Sequence, residues 1–215
     1  MIRVILADDE PAIRVGVATI LTTDPEIEVV AQAADGREAI ELVRRHQPDI
    51  AMLDIRMPHL DGLATAAELA TVAPDVAVII LTTFDEDEYV AGALALGASG
   101  FLLKAADPRE LILGVRSVAD GAAYLSPRIA QRVITRLGDG MIRSRSARSR
   151  LATLTPRERD VLGLVGRGLS NQEIARELNL AEGTVKAHVS AILLRLSLTN
   201  RVQAAILAYE AGLTT

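Results

Sequence analysis

The sequence predicts an α/β chain in which a doubly wound five-stranded parallel sheet is followed by a small all-α helix-turn-helix domain. Three observations carry that expectation. Over residues 1–120, short apolar runs alternate with segments that open on helix-capping residues, as repeated βα units do. Over residues 151–215 those runs give way to amphipathic helices introduced by Thr155, Ser170 and Asn200. The charge divides at the same place. Residues 1–120 carry 9 Lys and Arg against 21 Asp and Glu, a net −12, whereas residues 121–215 carry 14 against 7, a net +7. Such a split suits a basic part that meets nucleic acid, tethered to an acidic part with another task.

The five strands are expected at Ile2–Ala7, Ile27–Ala33, Asp49–Leu53, Val76–Thr82 and Gly100–Leu103. Several are near-continuous apolar runs, as strands covered on both faces require. Between them, Asp35 with Glu38, Asp85 with Glu88 and Asp107 with Glu110 place an acid three residues before a Glu, the signature of a helix start. Pro108 follows Asp107 at the first helical position, where its missing N–H costs nothing. Right-handed crossovers would then lay the strands in the order 2-1-3-4-5.

Composition narrows the function classes. Half of the 215 residues are apolar, but aromatics make up only 2% and Trp is absent, so the core rests on Leu, Ile, Val and Ala. There is no cysteine, which excludes disulfides and thiolate metal sites and fits a reducing cytosol. The first residues enter a strand with no secretory pattern, and no apolar run approaches the ~18 residues of a membrane span. A cytoplasmic location without a membrane partner is therefore expected.

The strand ends carry the chemistry. Ile50 to Leu53 delivers Asp54 at a strand terminus, and Pro58 stops the extension soon after. Alone, such a carboxylate could ligate a metal, act as a nucleophile or sit in water. The first strand, however, ends in Asp8, Asp9 and Glu10, and strands one and three are neighbours at the switch point of this topology. Converging acids repel one another unless a cation joins them, and Mg²⁺ takes one or two carboxylates with waters and phosphate oxygens. Thr82 ends the fourth strand and Lys104 the fifth, offering a hydroxyl and an ammonium to an anion over Asp54. Together Asp8, Asp9, Asp54, Thr82 and Lys104 suit Mg²⁺ and a phosphoryl group, with one Asp as the nucleophile that forms an aspartyl-phosphate.

These residues resemble the receiver domain of a bacterial two-component response regulator, and the chain as a whole resembles the NarL/FixJ family. The resemblance implies that residues 1–120 form a phosphoacceptor domain with Asp54 as the phosphorylated residue. It implies Mg²⁺ held by Asp8, Asp9, Asp54 and the main-chain carbonyl of Arg56. Thr82 matches the switch hydroxyl, Phe101 the switch aromatic that turns inward, and Lys104 the lysine that pairs with the phosphoryl group. Position 101 is Phe where many relatives have Tyr, so a phenol contact is lost while ring packing remains. Arg56 and Phe84 occupy positions that modulate phosphoryl loss in the family.

Residues 121–150 read as a linker. Ser126 and Pro127 open a helix to about Leu137, and Arg143, Arg145, Arg148 and Arg150 then alternate with serines as a solvated tether or as phosphate contacts.

In residues 151–215, Thr155 with Glu158 and Ser170 with Glu173 form capping boxes, opening helices to about Val165 and Leu178. A third helix is expected from Glu182 to Leu196, and a fourth from Asn200 to Gly212. On a 100° wheel Val185, Val189, Ile192 and Leu196 share the inward face, with Gly183, Ala187, Ser190 and Leu194 opposite and Lys186 at the flank. Two helices around a short turn fit a helix-turn-helix or an ordinary helical hairpin. The wording decides between them. Leu154 to Leu162, Gly168 to Ala175 and Thr184 to Val189 resemble the LuxR-type DNA-binding domain. That resemblance implies contacts to double-stranded DNA from Thr184, Lys186, Ala187, His188 and Ser190. Lys186 suits a guanine edge or a phosphate, and His188 lies near the core edge. Ala181 replaces a common Ser cap, and Ser190 removes a possible Lys contact.

The expected protein is a non-enzymatic response regulator. A sensor histidine kinase or a small phosphodonor phosphorylates Asp54, the chain forms a homodimer, and paired helices bind DNA. A Mg²⁺-dependent phosphotransferase or phosphatase would share the aspartyl-phosphate, but no second acid–base set or substrate domain accompanies it.

Overall fold

The structure is a computed structural model that describes residues 1–82, 98–127, 129–130 and 150–214. The expected cap at Asp85, the position of Phe84, most of the helix towards Leu137, and Arg143, Arg145 and Arg148 lie outside the described residues. The chain divides into two units, Met1–Ala119 with Tyr124–Ile129, and Asp120–Ala123 with Ala130–Thr215.

In the first unit β1 (Ile2–Ala7), β2 (Ile27–Ala33), β3 (Ile50–Asp54), β4 (Ala77–Thr82), β5 (Gly100–Leu103) and β6 (Tyr124–Leu125) form one sheet. The order is β2-β1-β3-β4-β5-β6, and every pairing is parallel. Alternation along each strand divides the core. Val4, Leu6, Ile50, Met52, Ile79, Leu81 and Leu102 form one buried layer with residues of α1 (Pro11–Leu21) and α4 (Pro108–Ala119). Among the described residues, α2 (Gly36–His46) and α3 (Gly62–Val72) pack on each other and on the strands.

Local chemistry starts these helices. The Asp35 carboxylate accepts the Glu38 N–H, and Glu38 accepts from the Ala34 N–H, satisfying donors at the α2 start. Asp61 caps α3 through the Ala64 N–H at 2.7 Å.

Six strands, rather than five, correct the expected sheet. β6 is two residues long, too short to leave any periodic signal. Gly121, at φ +73°, takes a left-handed turn before it, which glycine adopts without steric cost. The Tyr124 N–H then donates to the Ser99 carbonyl at 3.2 Å and the Ser126 N–H to the Phe101 carbonyl at 3.0 Å.

The second unit holds α5 (Pro156–Gly166), α6 (Asn171–Leu178), α7 (Glu182–Arg195) and α8 (Arg201–Glu210). Both expected capping boxes are complete, at Thr155 with Glu158 and at Ser170 with Glu173. Asn200 caps α8 through the Gln203 N–H. Val161, Leu162, Ile174, Val185, Ile192, Leu207 and Ala208 build the core that these helices share. Arg201 is buried and donates to Asn171 Oδ1 at 2.7 Å and to the Leu169 carbonyl, pinning α8 to the start of α6. Burial pulls its pKa down to about 10.

Candidate functional site

Register brings the predicted residues together at one edge of the sheet. Ala7 pairs with Leu53, so Asp8 and Asp54 leave neighbouring strands side by side. Asp54 pairs with Leu81 and Thr82 with Leu103, which sets Thr82 and Lys104 at the next two strand ends. These are the carboxyl ends of a parallel sheet, where ligands of this topology bind.

Lys104 joins the acids. Its ammonium lies 2.9 Å from Asp54 Oδ2, 3.0 Å from Asp8 Oδ2 and 3.5 Å from Glu10 Oε1. Asp8 and Asp54 are buried, and so is the Lys104 side chain, at 7% exposure. Burial pushes the Asp54 carboxyl up to about 6; Lys104 opposes the shift and Asp8 adds to it. Burial works against the Lys104 ammonium, but its bonds to Asp54 and Asp8 outweigh that cost and raise its pKa. Hence Asp54 is ionised above about pH 6, beside a fixed cation.

Asp8, Asp9 and Glu10 can place one ligand oxygen each within 4.8 Å of the others. Asp54 meets this group through the Lys104 ammonium. Asp8 Oδ2 is buried and, although ion-paired to Lys104, takes no hydrogen bond of good geometry. A buried oxygen with spare lone pairs, next to two exposed carboxylates, fits a hard divalent cation such as Mg²⁺. Glu10, which sequence reasoning left out of the site, belongs to this acidic group. Its adjacency to Asp9 was visible in the sequence, but not its reach to Lys104.

Thr82 is buried at the end of β4, and its carbonyl accepts the Lys104 N–H at 2.9 Å. Arg56 is exposed two residues beyond β3. Phe101 is fully buried, so the ring expected to turn inward is already inside. Gly62 at the start of α3 packs directly on the site: a Cβ there would fall 2.0 Å from the Asp54 carbonyl oxygen.

In the second unit α6 and α7 form the helix-turn-helix pair. Val185, Ile192 and Leu196 are buried and Val189 is partly so, while Gly183, Ala187, Ser190 and Leu194 are exposed, as the wheel predicts. Thr184 and Lys186 are also exposed, and His188 is half-buried. Ala181 supplies no side-chain cap. Lys186 is not a bare cation: Glu182 Oε1 lies 3.0 Å from its ammonium.

The family model described as the response regulator receiver domain matches residues 4–116, and that of the bacterial regulatory proteins of the luxR family matches residues 152–208. The chain belongs to the NarL/FixJ family of response regulators.

Other members of the family match it almost end to end. The transcriptional regulatory protein DegU of Brevibacillus brevis is 38% identical, with 98% of this chain and 94% of that protein covered. The nitrate/nitrite response regulator protein NarL of Escherichia coli K12 is 35% identical, with 96% and 94% covered. Among solved structures, the response regulator ChrA of a heme-sensing two-component system aligns with a TM-score of 0.55 and 33% identity, covering 99% of this chain and 98% of that one. The protein is thus a two-component regulator of transcription, as its relatives are. Among the described residues no helix is long and apolar enough to cross a membrane.

Proposed function

We propose that Asp54 is the phosphoacceptor of this NarL/FixJ regulator. A sensor histidine kinase or a small phosphodonor would supply the phosphoryl group. The observation that carries the reading is the buried Lys104 ammonium held between Asp54 and Asp8. An Asp54 oxygen attacks phosphorus, the bond from phosphorus to the donor breaks, and the donor leaves with that electron pair. Lys104 would pair with the phosphoryl oxygens, and Thr82 would donate a hydroxyl hydrogen to them.

Asp8, Asp9 and the Arg56 carbonyl, with Asp54, would hold Mg²⁺, and the oxygen-rich donor set beside buried Asp8 Oδ2 supports that assignment. When bound, Mg²⁺ neutralises charge on the transferring group. The organisation of the chain supports a receiver over residues 1–120, a linker over 121–150 and a DNA-binding domain over 151–215. Phosphorylation then promotes a homodimer, and two α7 helices enter adjacent major grooves of double-stranded DNA. Thr184, Lys186, Ala187, His188 and Ser190 lie on or beside the surface that would meet it.

The test is phosphoryl incorporation from acetyl phosphate. Wild type should be labelled with Mg²⁺ and fall to background when the metal is chelated, and Asp54→Asn should remain unlabelled throughout. Wild-type labelling of the Asn variant would overturn the assignment.

A further inference from the structure

The outward surface of α7 carries little charge. Gly183, Ala187, Ser190 and Leu194 are exposed and neutral. Arg195 is engaged elsewhere, with Glu158 Oε2 at 3.1 Å and the Thr153 carbonyl at 3.2 Å. What remains in the first turns is one ion pair, Glu182 with Lys186, 3.0 Å apart and four residues apart in sequence. Both side chains are substantially exposed, at 44% and 59%, so the pair adds little to stability and exchanges readily for other partners.

Its position gives it another consequence. The N-terminal residues of a recognition helix are those that reach base edges. A lone Lys there would bind any phosphate. A Lys beside a carboxylate gains almost nothing from a phosphate, because the pair is neutral and its acid is repelled by the DNA backbone. Base edges can satisfy both groups at once: guanine O6 and N7 accept from a Lys, and the cytosine N4 amino group donates to a carboxylate. We infer that Glu182 is a specificity-determining residue of this regulator, holding Lys186 off the phosphate backbone and releasing it where bases satisfy both side chains. The inference rests on the reading that α7 faces DNA. It works by penalising wrong sequences rather than by adding contacts to the right one.

The experiment uses the full phosphorylated chain and two duplexes. One has mixed sequence, and the other is the duplex that the wild-type chain enriches from a randomised pool. Glu182→Gln should tighten binding to mixed sequence by roughly three- to tenfold and steepen its salt dependence by about one phosphate contact. Affinity for the enriched duplex should change less than about threefold, so discrimination collapses. In a Lys186→Ala background, Glu182→Gln should no longer tighten binding to mixed sequence, since there is no ammonium left to release. Equal tightening with and without Lys186 would overturn the inference, because the carboxylate would then act alone. So would a Glu182→Gln chain that binds both duplexes like wild type while Lys186→Ala weakens binding. If Lys186→Ala also leaves both affinities unchanged, the DNA-facing reading of α7 fails first and takes the inference with it.

Discussion

Lys104 reaches across from β5 to place its ammonium 2.9 Å from an Asp54 oxygen at the end of β3. The same ammonium is 3.0 Å from Asp8, so one buried cation compensates two buried carboxylates. Removing one partner from such a set costs far more than the set contributes, because it strands the others without compensation. Lys104→Met should therefore destabilise the metal-free protein by about 3 kcal/mol. A divalent cation can take over the compensation, so Mg²⁺ should raise the melting temperature of the variant more than that of wild type. Thermal melts with and without Mg²⁺ check this, and equal shifts would count against the charge argument.

Thr82 tests a different step. Thr82→Ala leaves Asp54, Lys104 and the acidic group in place, so acetyl phosphate should still label the protein. The buried hydroxyl that could meet the phosphoryl group is lost, and dimer formation on phosphorylation should weaken. Sedimentation of the phosphorylated variant decides it: a wild-type dimer fraction would remove Thr82 from the switch.

Gly62 is a steric prediction. Even the single methyl of Gly62→Ala would stand 2.0 Å from the Asp54 carbonyl oxygen and 2.9 Å from its carbonyl carbon, so backbone must move. Overpacking of this kind costs roughly 1–3 kcal/mol, and here the displaced atoms belong to Asp54, the proposed phosphoacceptor. Both chemical-denaturation stability and the rate of phosphoryl incorporation should fall. A variant that is less stable but labelled at the wild-type rate would show that α3, not Asp54, gives way.

Asp24 provides the pH dependence. Arg116 donates to both its oxygens, at 2.7 and 2.9 Å, and with the Glu26 N–H holds the carboxyl below its usual range. A depressed carboxylate pKa contributes stability above the unfolded value, near pH 4, and that contribution disappears as pH falls through the folded value. Arg116→Ala should thus be less stable than wild type at neutral pH, with the gap closing below about pH 4. Urea midpoints from pH 3 to 7 measure it, and a gap constant over that range would assign the loss to packing instead.

Much of this architecture is legible because its signals are local. β1, β2 and β5 coincide with apolar runs, and α2, α5, α6 and α8 begin at side chains that cap them. Where such signals are missing, less can be read: Asp61 caps α3 without a Glu three residues on, so the start of that helix is unmarked, and β6 has only two residues and goes unseen. The site divides in the same way. Its acids, Thr82 and Lys104 can be found because strand ends of this topology converge, but the insertion of Lys104 between Asp8 and Asp54 depends on side-chain reach. The burial of Phe101 was equally out of view, since a strand residue next to a polar mouth can face either way.

The sixth strand gives the protein a connection that no side chain encodes. Its hydrogen bonds run from the Tyr124 and Ser126 N–H groups to the carbonyls of Ser99 and Phe101, on and just before the strand that leads to Lys104. Any residue but proline can supply an N–H. The tie itself is thus indifferent to which side chains stand at 124 and 126, although Ser126 is buried and Tyr124 packs on the core for reasons of their own. Comparing side chains among relatives would reveal nothing of this tie; a proline placed at either position would cut it.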